Sequence, residues 1–283
     1  MNLIEIETID KIKQKMILAK IISTKGSSPR DENTYMIISK SKFFGTIGGG
    51  ELEFQVIKNS LSILKSDSDN IKIIDFPLGP LLGQCCGGYV KVELKKYLNG
   101  KTLIKENDLK NSIMKNNINL YIFGAGHVGK AIIDKLEGIG FNVFVIDSRQ
   151  NYISNIKKNY VEAIYSKDNN TIINHTRNNS FYLIMTHSHK IDLELCALLL
   201  KKNDYSFIGL IGSKTKKNKF NKRLLDIGFD QYSINQIECP VGLKNIEGKE
   251  PNIIAISIIG RLIEYRSLIF NKNKNNYKNV VNK

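Results

Sequence analysis

The stretch from Ile118 to Arg149, INLYIFGAGHVGKAIIDKLEGIGFNVFVIDSR, constrains this chain more than any other. An apolar run, Leu120 to Phe123, ends at Gly124-Ala125-Gly126-His127-Val128-Gly129. A helical pattern comes next, with Val128, Ala131, Ile132, Leu136 and Ile139 on one face and Gly140 closing it. A second apolar run, Phe141 to Ile146, ends in Asp147. The order strand, glycine turn, helix, strand, acid has a physical logic. Gly124 allows the tight turn, Gly126 lets the backbone approach a diphosphate, and Gly129 lets helix and strand pack closely. The start of the helix offers unpaired N–H groups to an anion, and His127 lies inside the turn. Asp147 is placed to accept a hydrogen bond from a ribose hydroxyl. Arg149 either pairs with a phosphate or is solvated.

The chain beyond Arg149 repeats the alternation. Val161–Tyr165 and Phe181–Met185 read as strands, the latter ending in Thr186-His187-Ser188-His189. A helix is expected over 191–202, a strand over 207–211 ending in Gly212-Ser213-Lys214, and a helix over about 215–226. Strands alternating with helices predict a Rossmann-like, doubly wound parallel sheet over residues 118–270. In such sheets ligands sit beyond the C-terminal strand ends. The glycine turn, Asp147, His187, His189 and Gly212-Ser213-Lys214 all fall on that edge. His187-x-His189-x-x-Asp192 carries metal-ligand types, but no further ligand stands at a convincing distance. The other reading makes these polar loop residues or helix caps. Pro251 opens a final helix, about 252–266, with Ile253, Ile254, Ser257, Ile258 and Leu262 as its apolar face. Residues 271–283 are basic, low in complexity and read as a disordered tail.

Residues 1–97 form a separate α/β domain in this reading. Residues 15–24 read as a strand, Tyr35–Ser39 is strand-like, and a short run stands at Phe43-Phe44. Gly48-Gly49-Gly50 then leads into a helix with Leu52, Val56, Ile57, Leu61 and Leu64 at helical spacing. The three glycines are either an anion nest of backbone N–H groups or a flexible turn that starts a helix. Strands are expected at Ile71–Phe76 and Tyr89–Leu94, flanking a loop with Cys85-Cys86-Gly87-Gly88. Thiolates at Cys85 and Cys86 could ligate a metal, bind a sulfur-rich cofactor or carry a persulfide. Two small buried residues in a tight turn is the alternative. Apolar periodicity fades over 98–117, which is read as the linker.

The formal net charge is +15, but the lysines are scattered and no nucleic-acid motif accompanies them. No nucleic-acid partner is expected; a basic surface favours an anionic ligand or an acidic partner. No apolar run approaches the roughly 20 residues that span a bilayer. Met1 to Asp10 carries three acids and no basic, apolar leader, so no signal peptide is expected. Adjacent cysteines do not suggest a secreted disulfide frame. A cytoplasmic location with free thiols is the expectation, without membrane association.

Together the motifs resemble one family, the xanthine dehydrogenase accessory proteins of the XdhC/CoxI type. The matching stretches are GTIGGGELE (45–53), LGQCCGGYVKV (82–92), FGAGHVGKA (123–131), VIDSR (145–149), THSHKIDLEL (186–195), FIGLIGSKTK (207–216) and CPVGLKNIEGKEPNIIAISI (239–258). They run in the family's order and cover most of the chain. Glu51 stands where relatives of the carbon monoxide dehydrogenase branch often carry Cys, which favours the xanthine dehydrogenase branch. The resemblance implies a maturation factor without turnover of its own. It implies binding of the molybdenum cofactor (molybdopterin), a preference for its sulfurated form, and insertion into a xanthine dehydrogenase-type molybdoenzyme. A cysteine desulfurase and the target enzyme are the implied partners, and a homodimer is compatible with a two-fold pairing of the C-terminal domain. On this reading the cofactor lies on Gly48, Gly49, Gly50, Gly124, Gly126, His127, Gly129, Asp147, Arg149, His187, His189, Gly212, Ser213 and Lys214. Cys85 and Cys86 face the metal or receive sulfur. An NAD(P)-dependent oxidoreductase is the competing reading of the glycine turn and Asp147, and a nucleotide-sensing interaction module a third. No convincing paired catalytic base and proton donor, of the Tyr-x-x-x-Lys kind, supports the oxidoreductase.

Overall fold

A computed structural model describes residues 3–66, 70–78, 88–109 and 117–281, with side chains between residues 5 and 269. The chain divides into two units, Met1–Lys115 and Asn116–Lys283. The expected pairing of an α/β domain with a Rossmann-like domain is found.

In the first unit, β1 (Met16–Lys25), β2 (Tyr35–Ile38), β3 (Phe43–Gly45), β4 (Ile71–Leu78) and β5 (Gly88–Tyr97) form one antiparallel sheet in the order β3-β2-β1-β5-β4. Strand alternation sends Ile17, Ala19 and Ile21 to one face and Met16 and Leu18 to the other. Helix α2 (Gly50–Lys65) covers the first face with Leu52 and Val56, both fully buried. Each such side chain contributes roughly 1.5–3 kcal/mol of burial. Helices α1 (Leu3–Asp10) and α3 (Gly100–Glu106) cover the second, through Ile6, Ile9, Leu103 and Ile104.

Helix α3 corrects the linker expected at 98–117. Leu103, Ile104 and Leu109 are buried in the first unit's core, and Asn99 caps the helix by accepting from the Thr102 N–H at 2.9 Å. Lysines and asparagines on the exposed face mask the apolar spacing.

In the second unit, β6 (Ile118–Phe123), β7 (Phe141–Asp147), β8 (Val161–Tyr165), β9 (Phe181–Ile184), β10 (Phe207–Leu210) and β11 (Ile237–Glu238) form a parallel sheet in the order β11-β10-β9-β6-β7-β8. The order reverses between β6 and β9, so the crevice of a doubly wound sheet opens there. Both faces are covered. Leu120, Ile122, Phe181 and Leu183 pack with α4 (His127–Ile133) and α10 (Pro251–Val281). Tyr121, Phe123, Tyr182 and Ile184 pack with α6 (Asn169–His175), α7 (His189–Lys202), α8 (Lys214–Asp226) and α9 (Gln231–Asn235). A short α5 (Gln150–Ser154) succeeds β7. Burial on both faces is why these strands read as continuous apolar runs.

Two helix boundaries differ from expectation. Helix α4 has seven residues and stops at Ile133 instead of reaching Gly140. Beyond it the chain tightens into turns, with Lys135 N–H donating to Ile132 O and Leu136 N–H to Ile133 O. Leu136 is still buried, so the apolar face outlasts the helix. Helix α10, expected to end near 266 ahead of a disordered tail, continues to Val281. No proline or glycine interrupts residues 261–281, so the backbone pattern has no stop signal there.

Candidate functional site

The three glycines of the turn after β6 do three different jobs. Gly124 has φ +118°, and a Cβ there would lie 2.3 Å from the Met185 carbonyl oxygen. It lets the turn lie against the end of β9. A Cβ on Gly129 would lie 2.1 Å from the Gly124 oxygen, so that glycine lets α4 close onto the turn. A Cβ on Gly126 would meet nothing within 4 Å. Gly126 is therefore the one of the three whose face is open to a ligand.

Asp147, at the tip of β7, is 5% exposed and fully engaged. Its Oδ2 accepts from the Ala125 N–H at 2.8 Å and from Arg149 Nη2 at 2.7 Å. Its Oδ1 accepts from the Arg149 N–H and Nε, both at 2.9 Å. These bonds use the carboxylate's roughly four acceptor sites. Burial pushes the carboxyl up, but the hydrogen bonds from Arg149 and Ala125 outweigh it and hold the group below its ordinary value. The guanidinium lies over the Tyr152 ring, 3.8 Å from its centroid. Asp147, expected to accept from a ribose hydroxyl, already accepts from the chain's own donors. Arg149, two residues on, folds back onto the acid with its side chain 29% exposed, so its guanidinium is committed to Asp147 on one side and open to solvent on the other.

The loop after β9 is fixed by a buried ion pair. Asp192 Oδ2 is 2.6 Å from Lys216 Nζ, with side chains 1% and 9% exposed. Asp192 Oδ1 accepts from the Thr186 N–H at 3.0 Å and lies 2.7 Å from Thr186 Oγ1. Lys216 also donates to the Ile211 carbonyl at 2.8 Å. The pair ties α7, α8 and the ends of β9 and β10 into one block. It also removes Asp192 from any metal set; among the described residues no group of three His, Cys, Asp or Glu could hold a metal. His187 and His189 are exposed, and His189 sits edge-on to Phe220. Motif spacing alone misses the pair, although the sequence carries a signal for it. Lys216, Phe220 and Leu224 share the buried stripe of α8, and Asp192, Leu195, Cys196 and Leu199 that of α7. Opposite charges on two apolar stripes mark a buried pair.

The expected site residues share the sheet edge but line different cavities. A crevice of ≈ 100 Å³ at the switch point is lined by Gly124, Asp147, Ser148, Ser166, Thr186 and His187, among others. A larger cavity of ≈ 410 Å³ takes in Gly126 and His127. Lys214 borders a third, beside β11. Ser213 caps α8, its Oγ accepting from the Lys216 N–H at 3.2 Å. Gly212 leaves room for the Lys216 stem; a Cβ there would lie 2.7 Å from Lys216 Cδ.

The glycine loop of the first unit is also engaged. Gly48, Gly49 and Gly50 all have positive φ. The Glu53 Oε2 accepts from the Ile47 and Gly49 N–H groups at 3.1 Å and from Thr46 Oγ1 at 2.6 Å. The Gly48 N–H donates to Thr46 Oγ1. The nest expected for an outside anion holds the chain's own carboxylate. Cys85 and Cys86 lie outside the described residues. The two described cysteines, Cys196 and Cys239, are buried, and burial pushes both thiols up, which leaves them poor nucleophiles.

Comparison with known proteins fits this geometry. The family described as the XdhC Rossmann domain matches residues 120–262, and the XdhC and CoxI family matches residues 12–75. The chain belongs to the XdhC/CoxI family. The XdhC/CoxI motifs read from the sequence are therefore those of its own family, an accessory-protein family related to xanthine dehydrogenase maturation. A crystal structure described as a xanthine dehydrogenase from Bacillus halodurans is 22% identical, with a TM-score of 0.75 over 94% of this chain and 96% of that one. At that identity it establishes the shared fold. The uncharacterized protein YqeB of Escherichia coli K12 is 25% identical over 255 residues, 88% of this chain. The chain spans 43% of that relative's length. No described helix is long and apolar enough to cross a membrane.

Proposed function

We propose that this protein is a cytoplasmic carrier of the molybdenum cofactor, which it hands in sulfurated form to a xanthine dehydrogenase-type molybdoenzyme. The cofactor is cargo here, and the protein supplies binding, orientation and shielding. The observation that carries the reading is the open face of Gly126 at the switch edge of a chain whose two halves both match the XdhC/CoxI family. An anionic pterin with a phosphate needs backbone that a phosphate can approach and polar groups for the ring edge. Gly126 fits the first need. Ser148, Ser166, Asn169, Thr186 and His187 around the crevice fit the second. At ≈ 100 Å³ the crevice suits one polar edge of the ring and not the whole cofactor. Cys85 and Cys86 remain the thiols proposed to receive sulfur or face molybdenum. A cysteine desulfurase, the target enzyme and a second copy of the chain are the proposed partners.

The latch on Asp147 weighs against NAD(P) turnover, since the acid that would hold a ribose is already saturated. The test is an anaerobic titration with molybdenum cofactor, with and without excess NAD(H), completed by gel filtration. The reading expects molybdenum and pterin to be retained stoichiometrically and not displaced by NAD(H). Absence of retention together with tight NAD(H) binding would replace it with the oxidoreductase. Cys85→Ala/Cys86→Ala should lower delivery of sulfurated cofactor; unchanged activation of the target enzyme would remove the thiol role.

A further inference from the structure

Of the residues lining the ≈ 410 Å³ cavity beside the glycine turn, the carrier site draws on Gly126 and His127 alone. The cavity wall is made by α4, α5 and the residues after α5. Ile133, Tyr152 and Ile156 give it an apolar floor, and all three belong to or pack on the core of that sheet face. The rim is cationic and amide-bearing: His127, Lys130, Lys157 and Lys158 with Asn151 and Asn155. The carboxylate on the rim, Asp134, is paired with Lys158 at 3.1 Å. Among the described residues the side chains of Lys130 and Lys157 have no ion-pair or hydrogen-bond partner, and both are exposed. An apolar floor lined also by polar groups and by the uncommitted positive charge of Lys130 and Lys157 is the chemistry of a site for a flat ring with an anionic end. The volume is in the range of small-molecule sites.

We infer that this cavity binds a phosphorylated heterocycle, its ring on the Ile133–Tyr152–Ile156 floor and its phosphomonoester held by Lys130 and Lys157. Two sources share that chemistry, a free nucleoside monophosphate and a pterin monophosphate such as the carried cofactor, whose ring would then lie on this floor and not at the switch crevice. The inference does not rest on the carrier reading. A chain that retains no molybdenum cofactor but binds a nucleotide here would refute the carrier and leave the cavity assignment standing.

The probe is adenosine monophosphate, titrated calorimetrically into the full chain, with adenosine and inorganic phosphate as separate titrants. Three variants are compared: Lys130→Ala/Lys157→Ala, Asn155→Trp to obstruct the mouth, and Lys167→Ala at the switch crevice. All these positions are exposed, and equal melting temperatures check that the fold is intact. The expected result is binding of the monophosphate at about 1 mM or tighter, weakened about tenfold or more by the double variant and by Asn155→Trp but not by Lys167→Ala. Adenosine and phosphate alone should each bind more weakly. Cofactor retention, measured on the same variants, separates the sources. Retention lost with the double variant and competed by the monophosphate identifies the pterin, and retention unchanged identifies the free nucleotide. The inference is overturned if the double variant alters neither monophosphate binding nor cofactor retention, or if Lys167→Ala alone abolishes binding.

Discussion

The two glycine-rich turns, Gly48-Gly49-Gly50 in the first unit and Gly124 to Gly129 in the second, look alike in sequence. Each comes after a strand and feeds a helix. Their backbones differ in what the N–H groups already hold. In the first, Glu53 from the helix's own first turns reaches back and fills the nest. In the second, the Ala125 N–H is taken by Asp147, which comes from the next strand; a Cβ would meet nothing within 4 Å at either Gly49 or Gly126. Glycine supplies the curvature of an anion site in both cases. Whether the site is available depends on a nearby carboxylate.

The contrast can be broken most severely at Gly124. Gly124→Ala puts a Cβ 2.3 Å from backbone at φ +118°. It should cost about 3 kcal/mol or more in urea unfolding, from overpacking plus backbone strain. A loss below about 1 kcal/mol would mean the turn can move away from Met185. Next comes Glu53→Ala, which should cost about 2 kcal/mol by stripping the nest of its acceptor. It should also create a sulfate-dependent rise in melting temperature absent from the wild type. If sulfate stabilises both equally, the nest is open in the native chain.

Arg149→Ala should cost about 1–2 kcal/mol at neutral pH through loss of charge-assisted bonds to Asp147. Its pH dependence comes from the direction of the shift. The Asp147 carboxyl is held below its ordinary value, so its contribution is complete above pH ~4 and fades as pH falls through the lower folded value. The gap between wild type and Arg149→Ala should therefore close in acid; a gap constant down to pH ~2 would contradict the assignment. The smallest stability effect is expected at Gly126. Its φ is −71° and its face is open, so Gly126→Ala gains unfolded-state entropy, but Gly126 caps α4, where Ala is disfavoured, and the net change should stay within about 0.5 kcal/mol. In the carrier reading the same change lowers cofactor retention, so loss of binding with nearly unchanged stability is the result that sharpens the comparison.

Much of this architecture is legible in the sequence. The β6–α4–β7 unit, every strand from β1 to β10 and the placement of site residues on one sheet edge come from apolar period and glycine spacing. What escapes falls into two kinds. Helices α1, α3, α5, α6 and α9 span 5–8 residues, too short for a 3.6-residue period to stand out among lysine and asparagine. The commitments of Asp147, Glu53 and Asp192 escape because a residue type does not announce its partner. Asp147 reads as a ligand acid because such acids come after such turns; its neighbour Arg149 is visible but its direction is not. Only the Asp192–Lys216 pair leaves a trace, as charges on apolar stripes.

The Arg149 latch has a consequence for competition. Any ribose diol that docks on Asp147 must first displace a guanidinium that is bonded at two nitrogens and stacked on Tyr152. Abundant dinucleotides that depend on that acid meet a raised threshold, whereas a guest anchored by its phosphate alone does not disturb the latch. In the carrier reading, that threshold keeps the cleft vacant for its own guest in a crowd of commoner molecules that share the same general shape.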